Sequence, residues 1–341
     1  MEIKLLQTEN DEKRWEDFVR RNTSAILYQQ IGWRNVVERT YGHKSYYLFA
    51  EEDGQVVGIL PLFLINSRIF GRRLVSVPFA PYAGACANDD NTLRLLVDES
   101  EKRLAVDLNA EYIEFRGRAS DTDLPVDTTF VTSTLGLEGS AETVFKNLPQ
   151  NKRRNITKSM KRELTVTWAD KLEDFYSLYN RNMHNLGTPP HSIKFFANIL
   201  GEFPDSSTIL SVKLNNIAIY SAILLFYRDT VIDFMSSTIE KYRQLYPADF
   251  GIWYAITYAC EKGFRYFDFG RSIKDSSNHE FKRRWGADTQ QLYYYYYLKK
   301  TEKLPHLSPS NSKYERLSKI WRRLPLIVAN GLGPTIRRNI V

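Results

Sequence analysis

The chain has 341 residues, of which 43% are hydrophobic and 26% charged, with a net charge of +7. This composition is typical of a folded globular protein, and the length favours two domains. No apolar run reaches the roughly 20 residues of a transmembrane helix, and the first residues lack the apolar core of a signal peptide, so we expect a cytoplasmic protein. Two cysteines, Cys86 and Cys260, are too few for a disulfide scaffold or a zinc site, so no metal is expected.

The basic residues concentrate in two segments. Residues 151–162 hold six lysines and arginines and no acid, and residues 313–341 hold seven against one acid, Glu315. In the first segment a helix would place Arg154 and Lys158 on one face. Such a face can bind phosphate groups through charge-assisted hydrogen bonds, although a basic helix face is often only solvated. The pattern predicts two anion-attracting patches, with Arg154 and Lys158 as candidate substrate-binding residues.

The two halves of the chain repeat one order of elements. Each half contains a strand, a tight polar turn, a long apolar strand, a further strand, a helix and a terminal strand. Similar order at similar spacing argues for two copies of one α/β unit. These elements are predicted at residues 46–50, 52–54, 55–65, 72–81, 92–108 and 111–117, and again at 207–214, 215–216, 217–227, 230–236, 250–262 and 266–270.

The segment 263–286 carries the main candidates for chemistry. Asp268 lies between two phenylalanines of a predicted buried strand, and a desolvated carboxylate needs a partner. Arg271 and Lys282 are the nearest candidates in sequence. Charges at the end of a buried strand indicate a binding or catalytic cleft, and an ion pair that closes a loop is the alternative. Glu114 occupies the matching strand of the first half, whereas the FKRRWG element that contains Lys282 has no counterpart there.

Two further residues are candidates for substrate binding. His191 ends the turn GTPPH and can exchange protons near neutral pH, although a single loop histidine is often inert. Arg243 lies in YRQLYPADFG, just before the predicted helix of the second copy. The five consecutive tyrosines of Tyr293–Tyr297 alternate between the faces of a predicted final strand, which indicates packing rather than chemistry.

The last part of the chain differs in character from the rest. Proline and serine residues predict a linker, and the segment Tyr314–Ile327, with Trp321 beside two arginines, predicts a basic amphipathic helix. Such a helix can lie on an anionic membrane surface, or it can dock on its own protein. The predicted divisions are a first domain at 1–136, a second domain with the active site at 137–300, and a linker with an amphipathic tail at 301–341.

The chain resembles the FemAB-like transferases, which contain two GNAT-like (acetyltransferase-type) domains in tandem. The resemblance rests, in order, on the basic helix, NMHNLGTPPH, LYPADFGIWYAITYACEKGFRYFDFGRS and EFKRRWG. The terminal KYERLSKIWRRLPLIVANGLGP resembles the branch associated with bacterial exopolysaccharide and exosortase (PEP-CTERM) systems. The resemblance spans nearly the whole chain. It implies an α/β (α+β) fold of two domains, each a mixed, mostly antiparallel sheet flanked by helices.

What the resemblance implies is acyl transfer to an amine. The donor in the family is an aminoacyl-tRNA or, in related single-domain enzymes, an acyl-CoA. A lysine of the family's FK element matches Lys282, which would stabilise the oxyanion of a tetrahedral intermediate. Asp268 and Arg271 would order the site, with Asp268 as a proton acceptor. Arg154 and Lys158 would bind the diphosphate of a nucleotide-linked acceptor.

Two departures from the family pattern leave the donor open. YRQLYPADFG is not the glycine-rich Arg/Gln-x-x-Gly-x-Gly/Ala loop of CoA-binding acetyltransferases. The segment Leu186–Ser207 is too short for the helical-hairpin arm that some Fem proteins use around tRNA. Neither acyl-CoA nor aminoacyl-tRNA is therefore singled out.

Three functions follow from these observations. We expect an acyltransferase that modifies an amino group on a saccharide, nucleotide-sugar or cell-wall or exopolysaccharide precursor, with peripheral contact to the inner membrane through residues 313–341 as an option. One alternative is a non-catalytic adaptor of a polysaccharide-synthesis complex. The other is a tRNA-dependent, peptidoglycan-type aminoacyl transferase, for which salt-dependent tRNA affinity is the signature.

Overall fold

The computed structural model describes residues 1–67, 71–117, 123–300, 304 and 312–340. The chain divides into two compact units, each built on one β-sheet. Unit 1 comprises Met1–Thr129, Gln291–Leu307 and Arg338–Val341, and unit 2 comprises Phe130–Gln290 and Ser308–Arg337.

The elements of the chain up to Asp127 include most of the first sheet. In chain order they are β1 Glu2–Leu5, α1 Glu9–Arg21, a 3₁₀ turn Leu27–Gln29, α2 Ile31–Tyr41, β2 Lys44–Glu52, β3 Gln55–Ser67, β4 Gly71–Val75, β5 Cys86–Ala87, α3 Asp90–Glu99, a π-helical turn Ser100–Leu104, α4 Ala105–Asp107, β6 Tyr112–Gly117 and β7 Val126–Asp127.

The elements from Phe130 onward include the whole second sheet. They are β8 Phe130–Gly136, α5 Ala141–Asn147, α6 Gln150–Met160, β9 Leu164–Trp168, α7 Leu172–Leu186, α8 Ile193–Glu202, β10 Ser207–Leu214, β11 Ile217–Tyr227, β12 Thr230–Thr238, a 3₁₀ turn Glu240–Leu245, α9 Pro247–Glu261, β13 Tyr266–Ile273, α10 Ser277–Arg283, β14 Asp288–Gln291, β15 Tyr293–Leu298, α11 Ser312–Trp321 and α12 Leu326–Arg337.

The two sheets share one topology. In unit 1 the order is β1-β2-β3-β4-β6-β15-β7, with β5 beside β3, and in unit 2 it is β14-β8-β13-β12-β11-β10-β9. The strands from β1 to β4 and from β9 to β12 form antiparallel meanders. A helical crossover then returns the chain to a parallel neighbour, β6 beside β4 and β13 beside β12. The predicted fold of two tandem, mixed sheets flanked by helices is confirmed.

The two predicted hairpin turns have the same backbone geometry. Asp53 and Gly54 have φ of 48° and 76°, and Asn215 and Asn216 have φ of 50° and 63°. Positive φ at both central residues is the feature of a type I′ turn, whose twist matches that of the flanking strands. Asparagine, aspartate and glycine tolerate this region of φ better than other residues, so these short polar sequences fix both hairpins.

The two units differ from the predicted domains by one strand each. Residues 130–136 form β8, which pairs with β13 in unit 2, and the tyrosine strand 293–298 forms β15, which pairs with β6 in unit 1. The predicted ranges 1–136 and 137–300 assign both strands to the other domain. The physical reason is that β6 and β13 would otherwise be unpaired edges, and each pairs with a strand encoded outside its own copy.

Close packing sets the position of α9 on the sheet of unit 2. A Cβ atom on Gly251 would lie 2.5 Å from Cε1 of Tyr220, so only glycine allows the helix to approach β11 this closely. Pro247 at the first position of α9 suits a helix start, because its missing N–H needs no partner there. The helix contributes Phe250, Ile252 and other buried residues to a core shared with β10 to β13.

The terminal helices dock on unit 2, which confirms one of the two predicted positions of the tail. Trp321 of α11 is buried, as are Ala329 and Gly333 of α12. A Cβ atom on Gly333 would lie 2.4 Å from Cδ of Pro190, so α12 packs tightly against the turn before α8. The predicted linker at residues 305–311 lies outside the described residues, and no helix of the described residues is long and apolar enough to cross a membrane.

Candidate functional site

The candidate site lies where the two parallel strands of unit 2 stop pairing. β12 and β13 pair over three residues only, and the last pair is Ile232 with Asp268. Both strands are irregular directly beyond it: β12 shifts register against β11 next to Asp233, and β13 shifts against β8 between Asp268 and Arg271. Bulges often re-aim side chains next to active sites. Two carboxylates therefore lie at the point where the sheet opens.

Asp268 stabilises the bulge of β13. Its Oδ1 accepts hydrogen bonds from the backbone N–H of Gly270 at 2.7 Å and from Oγ1 of Thr132 at 3.1 Å. Gly270 has a φ of +70°, which glycine adopts without steric cost. The buried carboxylate thus has the hydrogen-bond donors that desolvation demands, and it also interacts electrostatically with Lys282, one of the two partners that the sequence suggested.

Lys282 projects from α10 into the interior beside this bulge. The helix begins at the capping residue Ser276, whose side chain accepts a hydrogen bond from the N–H of His279. The ammonium group is buried and donates to the carbonyl oxygens of Gly270 at 2.9 Å and Arg271 at 3.0 Å. An ammonium has three N–H donors, so these two bonds leave one.

His279 fixes the position of α10. Its Nδ1 accepts a hydrogen bond from the N–H of Asp275 at 3.0 Å, and its Nε2 lies 3.0 Å from Oγ1 of Thr289 in β14. The imidazole is buried and lies one helical turn before Lys282. It therefore ties both ends of the α10 segment to the adjacent loop and strand.

Asp233 is the site residue that sequence reasoning missed. Its side chain is buried; Oδ2 accepts a hydrogen bond from Ser236 at 3.1 Å, and Oδ1 has no hydrogen-bond partner among the described residues. The available signal was an acid inside the apolar strand sequence VIDFM. A buried acceptor without a donor is unusual and costly, and a bound ligand can satisfy it.

The pKa values of Asp233 and Lys282 are shifted toward each other. Burial raises the pKa of Asp233 to about 6, with the Lys282 charge opposing the shift and Asp268 adding to it. Burial lowers the pKa of Lys282 to about 8, opposed by both carboxylates and assisted by Arg271. Strongly perturbed values in a buried cluster are typical of functional sites. Near neutral pH both groups are largely ionised, yet each is poised to exchange a proton.

A buried ion pair connects three elements of unit 2. The ammonium of Lys152 in α6 pairs with Asp249 in the first turn of α9, which also accepts a hydrogen bond from Asn155 at 2.9 Å. The same ammonium lies 3.9 Å from the ring centroid of Phe281 and 4.8 Å from that of Trp285. Burial lowers the pKa of Lys152, and Asp249 opposes that shift. The basic helix, α9 and the FK element are thereby brought together.

The predicted substrate-binding face of α6 is exposed. Arg154, Lys158, Lys161 and Arg162 all face solvent, and within the described part of the chain none of them forms an ion pair. The burial of Lys152 on the opposite side orients the helix so that these charges point outward. The face therefore has the exposure that binding an anion requires.

The other three predicted residues differ in their surroundings. The Arg271 guanidinium lies 4.5 Å from the ring centroid of Phe130. It also interacts electrostatically with Lys282, which together with Asp233 and Asp268 we name the Lys282 cluster. Arg243 is exposed and lies 3.7 Å from Glu240. His191 is in the core, where its Nε2 accepts a hydrogen bond from Arg337 at 3.2 Å and its ring stacks on Phe195. Its predicted contact with substrate has no support in this placement, because the imidazole is only 2% exposed.

Comparison with known proteins defines the class of the fold. Residues 147–283 match the family model described as the acetyltransferase (GNAT) domain. This range contains Lys152, Asp233, Asp268 and Lys282. This part of unit 2 is therefore similar to a GNAT acetyltransferase domain. No curated protein matches the sequence. Among the described residues, no group of His, Cys, Asp or Glu could hold a metal ion.

Three solved structures show how far the likeness extends. The crystal structure of FemX has a TM-score of 0.66 and 15% identity, covering 88% of this chain and 98% of that one. The C-terminal domain of a putative lysylphosphatidylglycerol synthetase from Agrobacterium fabrum has a TM-score of 0.55 and 12% identity, covering 84% and 90%. A tandem GNAT protein from the clavulanic acid pathway has a TM-score of 0.54 and 9% identity, covering 89% and 99%. At these identities the likeness establishes a tandem GNAT fold.

Proposed function

We propose that the chain is an N-acyltransferase that transfers an acyl or aminoacyl group to an amino group of a saccharide, nucleotide-linked saccharide or cell-wall or exopolysaccharide precursor. The observation that carries the proposal is the buried Lys282 ammonium, which interacts electrostatically with Asp233 and Asp268 at the point where β12 and β13 stop pairing. The GNAT match over residues 147–283 supports the same class of reaction.

In the proposed mechanism Asp233 is the general base. The attacking amine must lose a proton as it forms the new C–N bond, and Oδ1 of Asp233 has no other hydrogen-bond partner in the described structure. A base with a pKa of about 6 is mostly ionised at pH 7 and still accepts a proton with useful driving force. Asp268 is a positioning residue in this scheme, because its Oδ1 accepts hydrogen bonds from Gly270 and Thr132 and thereby holds the bulge beside Lys282.

Lys282 stabilises the charge that develops on the acyl oxygen. The amine attacks the carbonyl carbon, the C=O electron pair moves onto oxygen, and the third N–H of Lys282 donates to that oxyanion. The intermediate then collapses to the amide and expels a thiolate or a ribose alkoxide, which receives the proton taken up by Asp233. The carbonyl groups of Gly270 and Arg271 hold the ammonium in place.

The start of α9 favours aminoacyl-tRNA over acyl-CoA as the donor. A helix N-terminus binds a diphosphate through free N–H groups and a positive dipole. Here Pro247 supplies no N–H, and the first turn holds the buried carboxylate of Asp249. The exposed basic face of α6 supplies contacts for phosphates, either those of tRNA or those of a nucleotide-linked acceptor.

The class of acceptor rests on sequence resemblance. The terminal segment resembles the exopolysaccharide and exosortase branch of the FemAB-like transferases, and we extend that context to this chain. Arg154 and Lys158 are then the residues that bind the acceptor's diphosphate. Arg243, exposed in the 3₁₀ turn before α9, is a further candidate contact.

The test is transfer by the purified full-length chain, with acetyl-CoA and a mixture of aminoacyl-tRNAs as donors and amino-sugar nucleotides and nucleotide-linked cell-wall peptides as acceptors. Mass spectrometry of the acceptors identifies the product. We expect Lys282→Met to lower the transfer rate by about 10²-fold or more. The control is Lys274→Met, which changes an exposed lysine of the preceding loop.

The variants are compared after thermal unfolding has shown that they remain folded. Full transfer by folded Lys282→Met would contradict the mechanism. Absence of transfer with every donor and acceptor, together with retained binding to a polysaccharide-synthesis protein, would favour the non-catalytic adaptor.

A further inference from the structure

The outward face of α11 and α12 concentrates the exposed apolar side chains of the chain. Among the described residues, seventeen large hydrophobic side chains are exposed, and seven of them lie between Leu317 and Ile336. Ile327 is 86% exposed, the largest value of the set. These seven are Leu317, Ile320, Leu326, Ile327, Val328, Leu332 and Ile336. We name this set the apolar terminal face.

Within the described residues this face has no protein partner, because the helices bury their opposite sides. Ala329 and Gly333 of α12 are buried against the rest of unit 2. At about 100° per residue, Ile327, Val328 and Leu332 fall on the opposite side of the helix. The less exposed Leu326 and Ile336 lie at the edges of that side. In α11 Trp321 is the inward anchor. The exposed apolar residues of α12 therefore lie mainly on its outward side, and the helix that carries them is docked by its other side.

Charge is excluded from the α12 part of the apolar terminal face and gathered around its α11 part. No charged residue occurs between Arg323 and Arg337. Arg316, Lys319, Arg322 and Arg323, all exposed, flank the uncharged run on its N-terminal side. An apolar surface with adjoining basic residues is the composition of helices that lie in the headgroup region of an anionic bilayer.

We propose that the apolar terminal face is a docking surface for a bilayer that contains anionic lipids, with α11 and α12 lying along the lipid surface. The twelve residues of α12 extend about 18 Å, against about 30 Å of hydrocarbon. The helix therefore rests in the headgroup interface and does not span the bilayer. Two copies of the chain joined through this face would bring like charges together, so charge complementarity favours lipid over self-association.

Trp321 is not the residue that would insert into the bilayer. The sequence pattern of Trp321 beside two arginines suggests tryptophan as the membrane anchor, but its side chain is only 6% exposed. The insertion residues are instead the aliphatic side chains, with Ile327 foremost. This assignment is independent of the acyl-transfer proposal, because it rests on none of the residues of the Lys282 cluster.

The experiment is vesicle co-sedimentation of the full-length chain. We expect sedimentation with vesicles of phosphatidylcholine and phosphatidylglycerol, and much less with phosphatidylcholine alone. Ile327→Asp should weaken binding about tenfold or more, since it puts a charge in place of aliphatic area that the bilayer would bury. Arg323→Gln should weaken binding to the anionic vesicles by about fivefold, and raised salt should do the same.

The matched control is Ile217→Asp, which places the same charge at an isoleucine that is 58% exposed in the β10–β11 hairpin. It should bind vesicles as the unchanged chain does. Equal sedimentation of Ile327→Asp and the unchanged chain would overturn the proposal, as would no sedimentation at low salt. Dimers in solution that Ile327→Asp dissociates, without vesicle binding, would identify a second copy as the occupant instead.

Discussion

Oδ1 of Asp268 accepts the backbone N–H of Gly270 at 2.7 Å, and this bond closes the bulge that faces Lys282. The carbonyl of Gly270 is in turn one of the two acceptors of the Lys282 ammonium. The backbone of a single glycine therefore connects the structural carboxylate to the charged group of the proposed site. Its left-handed conformation is the geometric condition for that connection.

Replacement of Gly270 by alanine should separate activity from stability. Gly270 has a φ of +70° and a new Cβ would meet nothing closer than 3.5 Å, so the expected cost is backbone strain of about 1–2 kcal/mol. Gly263→Ala, at φ +79° in open space, should cost a similar amount. Urea unfolding measures both. Only Gly270→Ala should also lower the rate of acyl transfer, and equal rates in the two variants would show that the bulge does not position Lys282.

The rate of transfer should depend on pH as a bell. Asp233 must be ionised to accept a proton, so kcat/KM rises through a pKa of about 6, and Lys282 must be protonated to donate, so it falls through about 8. The two apparent values belong to the coupled pair. In Asp233→Asn the acidic limb should disappear and the rate fall about 10²-fold or more. An unchanged acidic limb in that variant would assign the base elsewhere.

The buried pair of Lys152 and Asp249 should be costly to break on one side only. Asp249→Ala leaves a buried ammonium without its counter-charge, and we expect a loss of about 3–5 kcal/mol in the free energy of unfolding. Replacing both residues by apolar ones should cost less. The exposed pair of Lys146 and Glu142 is the control, with about 0.5 kcal/mol or less expected. Similar losses for the two pairs, measured by urea unfolding, would contradict this role of burial.

The interaction of His191 with the terminal helix should make folding sensitive to acid. Burial, assisted by the Arg337 charge, holds the pKa of His191 well below 6.5. The unfolded chain therefore binds the proton first as pH falls below about 6.5, and stability drops by up to about 1.4 kcal/mol per pH unit. His191→Gln should make this dependence shallower between pH 7 and 5. His43, whose pKa burial lowers to about 4, keeps its own contribution to the pH dependence of stability in this variant. If the urea midpoints of the two proteins fell equally as the pH was lowered, the assignment to His191 would be refuted.

Local sequence signals were sufficient for most of the fold. The turns at Asp53 and Asn215 carry the residues that positive φ demands, and the repeated order of strands and helices identified two copies of one unit. The terminal helices are different, since their sequence fits both a lipid surface and a protein surface. The structure shows inward packing for one side of them, and this packing depends on small residues at Ala329 and Gly333 that periodicity alone does not distinguish.

The site was only partly predictable, for reasons of distance along the chain. Lys282 could be predicted because its FKRRWG sequence occurs only in the second half of the chain. The structure buries this lysine beside β13, the strand that contains Asp268. Asp233 lies 49 positions before Lys282, and nothing in a single strand shows that β12 stops pairing beside it. Lys152 was one of six basic residues in its segment, and only the packing of α6 separates the buried one from the exposed ones.

The crossing of β8 and β15 between the two sheets has a consequence for dissecting or recombining the gene. A fragment that ends at residue 136 would retain a strand that its sheet does not use and would lose the one that completes it. Fragments divided at residue 136 should consequently expose unpaired strand edges and aggregate, whatever their catalytic competence. A chimaera should instead keep β8 together with β13 and β15 together with β6, because these strands pair by hydrogen bonds.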